Sequence, residues 1–138
     1  MREIKFRGFS ETLNKWVIGV PYFSEGNWWI LVDENTKSED IGTGSYFVDK
    51  NSIGQYTGLK DKNEVEIYEG DLLQSFYNDG EIHEVIWHEE SASFRVATYL
   101  DNRHGGSFAE LFFMDDIHEN CNKIIGNIYE NPELLQGN

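Results

Sequence analysis

Cysteine is nearly absent: Cys121 is the only one among 138 residues, so no bridge can form within the chain. None is needed, because a chain of this length buries roughly two thirds of the surface its unfolded form exposes. Proline occurs only twice, at Pro21 and Pro132, and both prolines, with most of the 13 glycines, read as punctuation outside apolar runs. Long apolar runs are missing too. The longest is Trp28–Val32, far short of the ~20 residues a membrane helix requires. Arg2, Glu3, Lys5, Arg7, Glu11 and Lys15 interrupt the first twenty residues, so no secretory leader is expected and a reducing, cytoplasmic compartment is.

Basic residues are scarce where acidic ones are dense. Residues 1–62 hold eight basic and nine acidic side chains, whereas residues 63–138 hold three (Arg95, Arg103, Lys123) against sixteen. Most of the formal charge of −14 therefore lies in the second half. Direct nucleic-acid binding wants the opposite sign, since Lys and Arg at phosphates supply most of that affinity. An anionic membrane surface is disfavoured for the same reason.

What the chain does have is aromatic and strand-forming residues. Phe, Trp and Tyr make up 14%, including Trp16, Trp28, Trp29 and Trp87. No segment keeps a helical period over three turns, and strand patterns recur throughout. Glu3–Phe9 and Trp16–Val20 read as a hairpin across Ser10–Lys15. Trp28–Val32 and Tyr46–Val48 are short strands on either side of Asp33–Gly44, which reads as a mobile loop. Further strands are expected over Tyr56–Leu59, Val65–Tyr68, Leu72–Tyr77, Ile82–Trp87, Phe94–Leu100, Phe108–Met114 and Ile124–Tyr129. Lys60–Asn63, Glu69-Gly70-Asp71 and Asn78-Asp79-Gly80 supply the turns, with Asp71 able to accept backbone amides. Asn131-Pro132-Glu133 caps one closing helical turn. These spacings predict a mainly β chain closed into a small barrel.

Four blocks resemble a known family: Ile4-Lys5-Phe6-Arg7, Gly54-Gln55-Tyr56-Thr57-Gly58-Leu59-Lys60-Asp61, Ile67-Tyr68-Glu69-Gly70-Asp71 and Ile125-Gly126-Asn127-Ile128-Tyr129-Glu130-Asn131-Pro132. In these the chain is similar to YopX proteins of bacteriophages and prophages. The resemblance implies an SH3-like barrel over residues 54–138, preceded by a β-rich extension over residues 1–53. It implies no enzymatic activity and carries over no functional residue. One departure stands out: the family pattern places glycine after Asp-Lys-Asn, where this chain has Glu64. The reversal is expected to be rebuilt around Asn63.

Candidate chemistry is thin. His83 and His88 have opposite strand parity, so they point to opposite faces and do not share a metal. His118 and Cys121 have ligand spacing for one helical turn, with no second pair to complete a zinc site. Cys121 has Lys123 as its only basic neighbour, no serine sits in a G-x-S-x-G elbow, and Asp115-Asp116 and Glu89-Glu90 read as solvated turns. Gly54–Lys60 fails as a phosphate loop, having three residues between its glycines and Asp61 after the lysine. No catalytic residue, metal or cofactor is expected.

Two functional expectations follow. The first is a non-enzymatic β module that binds protein, either a host factor or itself as a homo-oligomer. Tyr56, Tyr68 and Trp87 are its candidate partner surface, since amphipathic rings dock peptides at low entropic cost. The alternative is an acidic nucleic-acid mimic that occupies a host DNA-binding protein. Twenty-five acids on a globule of ~7,000–7,500 Å² average about one per 300 Å². Duplex DNA presents roughly one charge per 100 Å², so mimicry needs a threefold clustering on one face.

Overall fold

The computed structural model of the chain describes residues 3–75, 81–98, 110–113 and 122–135. They divide into two compact units, Met1–Tyr56 and Thr57–Asn138. Apart from single 3-10 turns at Lys50–Ser52 and Pro132–Leu135, every regular element among the described residues is a strand. No helix there is long and apolar enough to cross a membrane. The mainly β expectation holds as two antiparallel sheets. Asn78-Asp79-Gly80, Asp101–Ser107, His104, Asp115-Asp116, His118 and Cys121 lie outside the described residues.

The first unit contains β1 (Phe6–Ser10), β2 (Lys15–Ser24), β3 (Asn27–Val32), β4 (Gly44–Val48) and the start of β5 (Gly54–Lys60), in the order β4-β3-β2-β1-β5. Ser10 Oγ accepts the Leu13 N–H at 3.2 Å, and Asn14 takes φ 55 to close the first turn. Glu25 (φ 53) and Gly26 (φ 80) form a two-residue reversal whose left-handed residues match the twist of the flanking strands. β2 runs to Ser24 rather than stopping at Val20, and Pro21 sits inside it opposite Ile30. That proline is not punctuation. β1 pairs β2 only from Lys15 to Gly19, so at Pro21 the strand has a ladder partner on one side alone and tolerates a missing N–H.

Val17, Ile30, Val32, Ile41 and Val48 form this unit's core, with Phe6, Trp28, Tyr46 and Ile53 against it. Gly19 permits the closest approach: a Cβ there would stand 1.9 Å from the Leu31 carbonyl oxygen. The Asp33–Gly44 segment is not the loose loop its composition suggested. Asp33 Oδ1 accepts the Asn35 and Thr36 amides, Ser38 Oγ accepts the Ile41 amide, and Ile41 itself is buried. One isoleucine among polar residues is enough to pin the segment to the core. After β4, the Asp49 N–H donates to the Phe9 carbonyl at 3.1 Å, while Ser52 Oγ accepts the Phe9 N–H at 2.7 Å.

The second unit continues β5 and adds β6 (Glu66–Tyr68), β7 (Asp71–Ser75), β8 (Ile82–His88), β9 (Ser93–Thr98), β10 (Glu110–Phe113) and β11 (Asn122–Asn127). Five of these form a sheet ordered β10-β9-β8-β7-β11. No pairing joins β10 to β11 among the described residues, so the ladder is open. Ile67, Leu73, Val85, Phe94 and Val96 make the core, flanked by Leu59 and Ile124.

Polar side chains fix the turns around that core. Asp61, 3% exposed, accepts the Asn63 amide (2.8 Å) and the Val65 amide (3.0 Å) on Oδ1 and the Ile124 amide (3.0 Å) on Oδ2. One carboxylate thus shapes the reversal after β5 and ties it to β11. The left-handed residue of that reversal is Glu64 (φ 66), not Asn63. Asp71 Oδ2 accepts the Tyr68 amide at 2.7 Å across Gly70 (φ 96), as the Glu-Gly-Asp turn predicted. After β11, Asn127 Oδ1 accepts the Glu130 amide and Asn131 Oδ1 accepts the Asn127 amide. The closing 3-10 turn begins at Pro132 as expected.

Candidate functional site

The three aromatic residues singled out from sequence do not form one surface. Tyr56, at 5% exposure, belongs to the first unit, where the Lys5 ammonium stands 5.0 Å over its ring. Tyr68, at 4%, is enclosed in the second unit and its hydroxyl donates to Glu66 Oε1 at 3.3 Å. Neither ring offers a face to a partner, because each lies on the inward side of a short strand. Trp87 is different. It is 42% exposed, opposite Phe94 in the β8–β9 register, with the rings edge-on at 5.1 Å.

A larger apolar surface lies elsewhere. In β2, β3 and β4 the register aligns Val20 with Leu31 and Leu31 with Ser45, then Tyr22 with Trp29 and Trp29 with Phe47. Side chains directly opposite in a sheet share a face. Val20 (54%), Tyr22 (37%), Leu31 (45%) and Phe47 (42%) are all exposed on it, while their neighbours Ile30, Val32 and Val48 fill the core behind. The face is ordered by its own contacts. Tyr22 donates its hydroxyl to Ser45 Oγ at 2.7 Å, and Trp29 meets Phe47 edge-on at 5.9 Å. Sequence reasoning missed this surface, although one signal was present: Trp28–Val32 is apolar at every position, so both faces of that strand had to carry apolar groups. Isolated exposed apolar residues are ordinary, whereas a contiguous patch across three strands marks a contact surface.

Reactive chemistry is sparse among the described residues. No group of three or more His, Cys, Asp or Glu side chains converges there to hold a metal ion. His83 is buried on β8, and that burial lowers its pKa, with Glu81 acting weakly the other way. His88 lies on the opposite parity, its Nδ1 2.7 Å from Ser91 Oγ in the turn that carries exposed Glu89 and Glu90. Asp61 and Asp71 are buried and engage backbone amides, which is a structural use of a carboxylate.

Comparison with known proteins agrees with the architecture. No curated protein matches the chain. The crystal structure of protein EF1440 from Enterococcus faecalis is similar over 98% of this chain and 99% of that one, at 25% identity and a TM-score of 0.51. A family model described as YopX protein matches residues 5–136. The matched span contains both buried aspartates and the asparagine-rich turn after β11, the groups that hold the second unit's reversals in place. The chain belongs to the YopX family.

Proposed function

We propose that this protein is a non-enzymatic contact module that binds protein, either a host factor or a further copy of itself. The observation that carries the reading is the exposed apolar face of Val20, Tyr22, Leu31 and Phe47 around half-buried Trp29. Burying apolar surface is the main driving force of association, and aromatic side chains anchor interfaces disproportionately. Trp87 is retained from the aromatic trio as a second, smaller contact point. The same reading takes residues 1–53 as an extension to an SH3-like barrel over residues 54–138, in a phage or prophage product acting in the bacterial cytoplasm.

The test compares wild-type and Leu31→Asp proteins as bait in lysate, with light scattering on each. Leu31 points outward, so the substitution leaves the core intact. The expected result is a bound protein, copy or host factor, that the wild type retains and the variant loses. Equal behaviour of the two baits overturns the reading.

The acidic-mimic alternative draws on Thr57–Asn138, which holds seventeen acidic and five basic side chains. Two of those acids, Asp61 and Asp71, are turned inward and add nothing to a surface field. Displacement of a captured host protein by duplex DNA would favour that alternative.

A further inference from the structure

Strand β4 ends the hydrogen-bonded order of the first unit, and its sequence Gly44-Ser45-Tyr46-Phe47-Val48 has no charge and no proline. Its register with β3 runs without a bulge. Those are the features by which edge strands ordinarily avoid pairing with another chain, and here all are missing. The direction of the free backbone groups follows from parity. Asp49, the next residue, donates its N–H away from β3 to Phe9. Phe47 and Ser45 share that parity, so their N–H and C=O groups also face outward, while Tyr46 and Val48 face Ile30 and Trp28.

We infer that a second copy of this chain occupies this edge, its β4 antiparallel to the first about a two-fold axis at Tyr46. The inference rests on the protein-contact reading above and names the partner. In that register Ser45 of each copy lies opposite Phe47 of the other, and both residues present outward groups, so the two exchange backbone hydrogen bonds. Side-chain sizes agree: Phe47 falls beside the second copy's Ser45, and Val48 beside its Gly44. The outer face becomes continuous as well, the row Tyr22-Trp29-Phe47 running on into the second copy's Ser45-Leu31-Val20.

Charge selects this contact for self-association. Met1–Tyr56 holds six basic and eight acidic side chains, a net of −2, whereas Thr57–Asn138 carries five basic and seventeen acidic, a net of −12. The apolar edge thus sits on the nearly neutral unit. Area sets its strength. Pairing two five-residue strands with their adjacent rings buries roughly 300–400 Å² per copy, about half of the ~800 Å² per partner of a standard stable interface. The geometry points to a reversible, concentration-dependent dimer, tightened by salt because the two copies repel each other.

Sedimentation velocity on the full chain over a concentration series tests this. Wild type should dimerise reversibly, and more tightly as salt rises. Ser45→Ala, which loses the hydroxyl but keeps the N–H, should dimerise like wild type. Ser45→Pro removes only an outward N–H, so it should stay monomeric at every concentration with an unchanged far-UV spectrum. Should Ser45→Pro fail to fold, an equimolar mixture of Ser45→Cys and Phe47→Cys, each in a Cys121→Ser background, reads the register directly. The mixture should cross-link between the two variants, and neither alone should do so. A wild type that is monomeric throughout, a Ser45→Pro dimer as tight as wild type, a dimer weakened by salt, or cross-linking without register preference overturns the inference. A monomer whose bound host protein is lost on Leu31→Asp substitution overturns this inference alone and leaves the contact reading standing.

Discussion

Glu64 holds φ 66 on an exposed turn, a conformation that costs a residue with a Cβ about 1 kcal/mol. Glu64→Gly is therefore expected to stabilise the protein by about 0.5–1 kcal/mol, read as a raised urea midpoint. The sequence pointed to Asn63 as the left-handed residue because asparagine tolerates that region best. Asp61 decides otherwise, since its Oδ1 takes both the Asn63 and Val65 amides and leaves Glu64 at the bend. Asp61→Asn should cost about 2–3 kcal/mol by the same measurement, because one of two accepting oxygens becomes an amide facing the Ile124 N–H. His83 supplies a pH dependence. Its folded pKa lies below the ordinary 6.5, chiefly from burial. The unfolded chain thus binds a proton first as pH falls, so stability is full above that value and is lost on acidification until the lowered folded pKa is passed. His83→Gln should flatten the change in urea midpoint between about pH 7 and about pH 5. An equally steep loss in the variant would assign the effect to other groups.

At the scale of the element, strands and turns were largely legible because alternation, glycine and aspartate report local geometry directly. Val65–Tyr68, Ile82–Trp87 and the Glu-Gly-Asp turn reappear nearly as read. The misses have physical causes. β2 extends through Pro21 since its neighbour β1 has already stopped, and that is a tertiary fact invisible to a local pattern. The contact face on β2, β3 and β4 depends on register, which decides whether apolar residues on three strands line up or scatter. Tyr56 and Tyr68 illustrate the converse, since a tyrosine's burial is not set by its sequence neighbours. β11 offers a test of element-level coupling. A Cβ at Gly126 would lie 2.5 Å from Asn131 Oδ1, the atom that accepts the Asn127 amide. Gly126→Ala should destabilise by about 1–2 kcal/mol. In combination with Asn131→Ala the two losses should be clearly less than additive in a double-mutant cycle, because each removes the same contact.

For the whole molecule, the charge of −14 predicts that added salt raises thermal stability by screening self-repulsion. Melting curves across a salt series should shift upward, and a flat series would mean that the acids are already neutralised by near neighbours. This property was fully legible from composition, whereas function was not, because contact surfaces carry no motif. The sheet order of the second unit has a further consequence for biosynthesis. β7 lies between β8 and β11, so one of its flanks is filled only by the last strand to be made. While the ribosome is still translating the stretch between them, the nascent chain presents Asp71–Ser75 with half its ladder vacant. Premature termination before Asn122–Asn127 would leave that flank exposed to mispairing and degradation.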